Sequence, residues 1–507
     1  TFCFSNDLSA ASYSETAGAV TVNSGAGSIA VTPAPEGQAS SLRFASIVRN
    51  TGATVNFVGE GLGDSDRARI FITGQGDGLI GTWATVNGTR YAAYSSTRGV
   101  YAAPLEVDIA ARGYSVITND ATLAVRISYP GEAGPIELET SPVSSVGSLA
   151  QNASTPATVT TTNTLFRVSE LLLAADKADL TIGTAPREGT LSVLTPGGRL
   201  GLENSSTNGV LTINASIVTN AAACSLTKAG AGQVVLAGEN TYGGATIVSA
   251  GELAFGTGNH AIGQMSVGTA SFILTNAAAS YVYVTNNNTY IGNNAGEFGR
   301  MVMGGNCAWS GYLYPKYAAQ TILAIGHSGR GILTLQDSAS ITQRLYVGNN
   351  GGSAGAVYQN GGVMHNWGGG GADGRIGMYG YGYYELNSGT FTNNGWTHLG
   401  FGPQAVDILK QSGGSFKMGN VYDGNLGISR GGTGVIYVAG GTFSASASVN
   451  VGEQWDNGTT NGFAEFTMAG GQADINGDLY MADRFGSLAV VNRSEERRVG
   501  KECRSRW

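Results

Sequence analysis

The residues best suited to chemistry lie in one stretch, "HNWGGGGADGRIGMYGYGYYE" (365–385), which brings His365, Asp373, Arg375 and Glu385 within 21 positions, with His398 shortly after. A polysaccharide lyase or glycoside hydrolase needs such a set: one group to take or give a proton and a second carboxylate or cation to hold charge. The alternative function for this chain is therefore a carbohydrate-active enzyme with its groove around 360–400, which requires Asp373, Glu385 and His398 on one face. The rest of the chain argues for the plainer account. Charged residues make up only 12%, with four His, and they are scattered. Polar turn residues on successive repeats explain the cluster, so no catalytic residue is assigned and the chain is read as non-enzymatic.

Two short motifs resemble metal loops and fail in detail. "GGGGAD" (368–373) matches half of a calcium-binding nonapeptide, but it occurs once and is followed by Gly374 and Arg375 rather than an apolar residue. "DINGDL" (474–479) begins like an EF-hand, but Leu479 stands at the glycine position and Phe485 where the bidentate acid belongs. Cys3, Cys224, Cys307 and Cys503 are widely spaced and form no C-x-x-C pair. No metal and no cofactor is expected.

A third group of residues suits recognition rather than catalysis. Residues 354–403 contain nine Phe, Tyr or Trp. Trp396 and His398 fall at outward positions whose repeat equivalents are small and polar, and Tyr379, Tyr381 and Tyr383 precede them. Aromatic faces stack on the apolar face of a sugar ring, so these five residues are the candidate ligand-binding set, read as one flat strip for polysaccharide or cell-surface glycans.

What must position them is a repeat. Three stretches align without gaps: "SGTFTNNGWTHLG" (388–400), "GGTFSASASVNVG" (440–452) and "GGQADINGDLYMA" (470–482). Looser copies occur at 333–348, 357–367 and 408–420. An apolar-Gly anchor recurs at Gly292, Gly326, Gly348, Gly377, Gly400, Gly427 and Gly452, spaced by 22 to 29 residues from Gly326 onward. That period is too short for a propeller blade and has no helical patterning. It suits three short strands and three turns per coil, with Gly and Asn at the corners because they tolerate positive φ. The expected fold is all-β, a right-handed parallel β-helix of short strands, with inward and outward residues alternating. Thr397, Val449 and Leu479, with Leu399, Val451 and Met481, should point inward.

Composition agrees. Glycine supplies 79 of 507 residues and proline only 11, and no stretch is long and apolar enough for a membrane helix. The motif "LTKAGAGQVVLAGENTYGGATIVSAGEL" (226–253) closely resembles the autotransporter-associated β-strand repeat. Leu226, Lys228, Gly230, Gly232, Leu236, Gly238, Asn240, Tyr242, Gly244, Val248, Gly251 and Leu253 all fit that pattern. Val234 replaces a Leu, and Ala245 stands where a turn Gly is usual. The wider resemblance covers about 40–260. It implies a passenger-type β-helix exported to the bacterial surface, outer membrane or exterior, serving as an adhesin or scaffold. It also implies that the motif residues are structural, and that any membrane attachment runs through a carboxy-terminal anchor or barrel.

The chain opens at Thr1 and is read as truncated at both ends. Its last fifteen residues, Arg493 to Trp507, resemble a translated sequencing adapter and are read as an artefactual tail. Without the tail's six basic and three acidic residues, 22 basic and 32 acidic remain, a net charge of −10. Nucleic acid is therefore not an expected partner. The expected organisation is a β-rich amino-terminal part (1–160), coils carrying the repeat motif (161–260), degenerate coils (261–492) and the tail (493–507).

Overall fold

The computed structural model describes residues 2–493 apart from 6–10, 23–25, 50–52, 82, 104–106, 111–115, 130–134, 286–287, 312–320, 367–373, 394, 420–424, 453–461 and 483–486. Residues 494–507 of the tail lie outside the described residues, as does Asp373. The chain is a parallel β-solenoid of about 16 turns, with about 59% strand and, among the described residues, no helix.

One coil illustrates the rest. Thr397–Leu399 forms a short first face, Val406–Gln411 a longer second face and Ser415–Met418 a third. Leu426–Ile428 then returns to the first face beside Thr397–Leu399. Stacked first-face strands form an 18-stranded parallel sheet from Val107–Ala110 to Leu479–Met481. The second and third faces form a 21-stranded sheet folded along the corners between them. These corners are the Gly-Gly or Ser-Gly pairs of the aligned repeats. Gly389, Gly414, Gly441 and Gly471 all adopt positive φ there.

Alternation puts one side chain in two into the core. Thr397 pairs with Leu426, then Val449, then Leu479; Leu399 pairs with Ile428, then Val451, then Met481. The ungapped sequence alignment has this same register. All but the last coil's members are essentially inaccessible, whereas Leu479 and Met481 in that coil are exposed. Phe391, Phe416 and Phe443 also stack through the core, nearly parallel, at 4.6 and 5.3 Å.

The corner after each first-face strand departs from expectation once. Gly348, Gly377 and Gly400 take positive φ, as the apolar-Gly anchor requires. Gly427, however, lies within its strand, and Ser429 occupies the corner at φ 65°. Ile428-Ser429 is the register equivalent of Leu399-Gly400. The hydroxyl of Ser429 donates to Gly432 O at 2.6 Å, which helps hold the unusual conformation.

The first hundred residues have their own core, from Ile29 to Val100. Their parallel strands end at Ala84–Val86, which pairs antiparallel with Arg90–Ser95. Tyr91, on that strand, packs with Ala150 and Leu172 of the main stack.

Candidate binding faces

The candidate residues divide between two faces. Trp396 and His398 are outward on the first face. Tyr381 and Tyr383 are outward on the second, in Tyr381–Asn393, in register with Val406 and Ile408 of the next coil. Tyr379 sits at the corner between them, its ring 6.0 Å from Phe401. The single flat strip is therefore corrected to two adjoining surfaces, because the corner at Gly377–Gly380 turns the chain between Ile376 and Tyr381.

His398 needs a second correction. It is outward by alternation but only 1% exposed. Trp396 stacks beside it at 5.7 Å, and Phe401 folds back from the corner to 5.6 Å. Burial lowers the His398 imidazole to about 3, and the charges of Arg430 and Arg375 push it the same way. It is a neutral packing residue under this surface. Trp396 is half-buried.

The second face is more open. Tyr381 is 41% exposed, as is Tyr379 at the adjoining corner, with Val406 and Tyr437 close to that value. The rings of Tyr358 and Tyr383 lie 5.8 Å apart. Burial, then the hydrogen bond and charge of Glu385, raise the Tyr383 phenol to about 12. Glu385 in turn accepts from Lys410 Nζ at 2.8 Å.

The residues proposed for an enzyme groove do not converge. Glu385 lies on the second face, paired with Lys410. His365 lies on the third, where its ring nitrogen meets the Thr392 hydroxyl at 2.5 Å. His398 lies on the first. Buried Asp407 accepts from the backbone N–H of Gly382 at 3.0 Å and from that of Gly400. Burial pushes its carboxyl well above the usual range. Asp474 and Asp478 are outward and exposed, in the columns of Ser444 and Ser448. Among the described residues, no three His, Cys, Asp or Glu come together as a metal site.

Sequence reasoning missed two arrangements. The first is an alternating column on the first face. The Arg344 and Arg375 guanidiniums lie 5.0 and 5.5 Å from the Tyr346 ring centroid, and Arg375 and Arg430 lie 3.8 and 4.8 Å from that of Phe401. Extending the repeat columns to the corners would have found it. The second is Lys228. Its side chain is wholly buried, and Nζ donates to Ala229 O, Gly230 O and Ala250 O at 3.0, 2.5 and 2.8 Å. Burial lowers its ammonium to about 7, against the opposing pull of Glu203 and Glu252. Nothing in the spelling of the motif distinguishes this lysine from an exposed one.

The surrounding motif is structural throughout. Leu226, Leu236, Val248 and Leu253 fill the core. Asn240 accepts from Ile217 N and donates to Gly238 O, and Tyr242 is buried with its hydroxyl on Thr246. Residues 226–255 match the passenger-associated transport repeat. That stretch is similar to the repeats of autotransporter passengers. It is also 28% identical over 392 residues to the adhesin BmaC autotransporter of Brucella suis biovar 1 (strain 1330). That match covers 73% of this chain and 11% of the relative. The chain thus spans about a tenth of the curated relative it matches. No solved structure matches it significantly.

Proposed function

We propose that this chain is a stretch of an exported, surface-displayed passenger that works as an adhesin and not as an enzyme. The observation that carries the reading is a passenger-associated transport repeat built into a continuous parallel solenoid whose flanking coils resemble an adhesin. Export to the cell surface or the exterior follows from that kinship. The chemistry of the faces supports the non-enzymatic part. Glu385, His365 and His398 stand on three different faces, and hydrolysis or elimination needs its acid and base on either side of one bond. A solenoid instead offers long flat surfaces, where repeated weak contacts add by avidity. The exposed tyrosines of the second face suit stacking on host or neighbouring cell-surface glycans.

The test is attachment. Beads coated with the full chain should adhere to epithelial cells above albumin-coated beads. The same protein should release no reducing ends or unsaturated products from a panel of polysaccharides. Turnover of any of them would return the enzyme reading, and absence of attachment would remove the adhesin one.

A further inference from the structure

The second face carries a pattern finer than a scatter of exposed tyrosines. Its strands Ala354–Asn366, Tyr381–Asn393, Val406–Gln411 and Thr433–Val438 stack in register. Side chains alternate along a strand, so each strand turns its first, third and fifth residues outward and makes three outward columns. Tyr381 stands in the first column, Ile408 in the second one coil on, and Tyr437 in the third one coil further. The three form a diagonal across the face. Two coil steps of about 4.8 Å and four residues of about 3.3 Å make it roughly 16 Å long. Tyr381 and Tyr437 at its ends are exposed, and Ile408 between them is half-buried.

Charge and shape decide what this diagonal suits. Of the residues these four strands place in the three columns, only Glu385 and Lys410 are charged, and they are joined to each other at 2.8 Å. The pair lies along one flank of the diagonal with Tyr383, so that flank is polar without net charge. The other flank is formed by Val406, Thr433 and Val435, which are short. One coil before Tyr381 and Tyr383, Ala354 and Ala356 carry only a methyl, so the rings rise above the strand beside them. A tyrosine offers a broad, rigid face and has only two torsions to fix on binding. The result is a low, uncharged aromatic ridge with one polar edge and one apolar edge.

We propose that the Tyr381–Ile408–Tyr437 diagonal binds a neutral glycan whose sugars are joined through equatorial bonds into a flat ribbon, the kind found in cellulose. Such a ribbon shows ring C–H bonds on its two faces and hydroxyls along its edges. The two tyrosine rings and Ile408 take the C–H face. Contact is made by ring faces and an aliphatic side chain, so no hydrogen-bonded group has to give up its partner. The Glu385–Lys410 pair stays closed and keeps one edge of the ribbon in polar surroundings. A chain of axially linked sugars coils and does not lie flat along the diagonal. A uronate polymer brings negative charge to a protein of net charge −7 and meets no unbalanced cation on this face. The proposal rests on the adhesin reading for its biological setting and names the glycan class, and its chemistry is tested separately.

The full chain is titrated by calorimetry with cellohexaose, maltohexaose and hexagalacturonate, which are matched in length. Cellohexaose should bind, and the other two at least about tenfold more weakly, the factor that about 1.4 kcal/mol represents. Tyr381→Ala/Tyr437→Ala should weaken cellohexaose binding by at least about tenfold. Tyr281→Ala/Tyr283→Ala, which removes two exposed tyrosines from the third face, should change it less than about twofold. Tyr381→Phe keeps the ring and should stay within about threefold of the parent. Read beside Tyr381→Ala alone, it also serves if the double variant loses its strand signal by circular dichroism. No binding of cellohexaose, equal binding of either other hexasaccharide, a Phe variant as weak as the Ala one, or equal losses in both double variants overturns the site. A parent dimer in sedimentation that Tyr381→Ala/Tyr437→Ala dissociates, with no cellohexaose bound, reassigns the face to a second copy of the chain. Beads that still attach to cells while cellohexaose binding is absent remove the site and leave the adhesin. Beads that fail to attach while tyrosine-dependent cellohexaose binding persists do the reverse.

Discussion

Replacing Lys228 with Met tests what the transport repeat contributes to the solenoid. The substitution keeps the length and apolar stem of the side chain and removes only the ammonium. Three backbone carbonyls lose a donor: Ala229 O, Gly230 O and Ala250 O, which it holds at 3.0, 2.5 and 2.8 Å. Two belong to the corner after Cys224–Ala229 and the third to the corner one coil on, so the ammonium ties adjacent coils together. A buried acceptor left without its partner costs about 1–3 kcal/mol. Glu203, buried in the preceding coil and in register with Ala229, also loses its nearby cation. Solvation of the freed carbonyls by small shifts offsets part of this, so the expected net cost is about 3–4 kcal/mol. A solenoid opens locally, so the loss should concentrate in the coils around the motif. Hydrogen exchange should accelerate by about two orders of magnitude, at 1.4 kcal/mol per tenfold, in Arg199–Asn204, Cys224–Ala229 and Gly243–Val248. Thr433–Val438, many coils away, should be unchanged. Less than about threefold acceleration near the motif, a difference below about 0.7 kcal/mol, would mean that the three carbonyls are satisfied without the ammonium and that the reasoning fails.

Other substitutions probe the core, the corners and the first face. Phe416→Ala removes the middle ring of the Phe391–Phe416–Phe443 stack and should cost about 3–5 kcal/mol, read as a lower urea midpoint for the second half of the chain. Gly348→Ala puts a Cβ 2.3 Å from Tyr381 O at φ 63° and should cost at least about 1–3 kcal/mol. Ser429→Gly should be within about 1 kcal/mol of neutral, because relief at φ 65° is set against the lost bond to Gly432 O. The His398 pKa is depressed on folding, so its stabilising contribution is complete above about 6.5 and is lost as pH falls towards about 3. The parent should lose stability through that window, His398→Gln should show a shallower decline, and nuclear magnetic resonance should find a neutral imidazole at pH 5.

The coil and its register were legible because corners impose a stereochemical demand that few residues meet. A Gly-Gly pair marks the turn between second and third faces at 413–414, 440–441 and 470–471. Aligning those pairs aligns the strands on either side, whose side chains then fall into columns of period two. The same logic misled at Gly427, because Leu426-Gly427 and Ile428-Ser429 are both plausible anchors two residues apart. Only the pairing of Leu399 with Ile428 decides between them, and that pairing depends on a loop of variable length. The candidate surface around His398 was less legible for a related reason. Alternation says on which side of a sheet His398 lies, but not what covers it. Its cover comes from Phe401, three residues on in the next corner, and from Arg375 and Arg430, one coil before and one after. Those residues are 23 and 32 positions away, across turns whose spacing varies. A column of outward residues is thus readable only once register is known across every intervening loop. The Arg-aromatic column, which spans Arg344 to Arg430, is therefore a property of the stacked coils and of no single repeat.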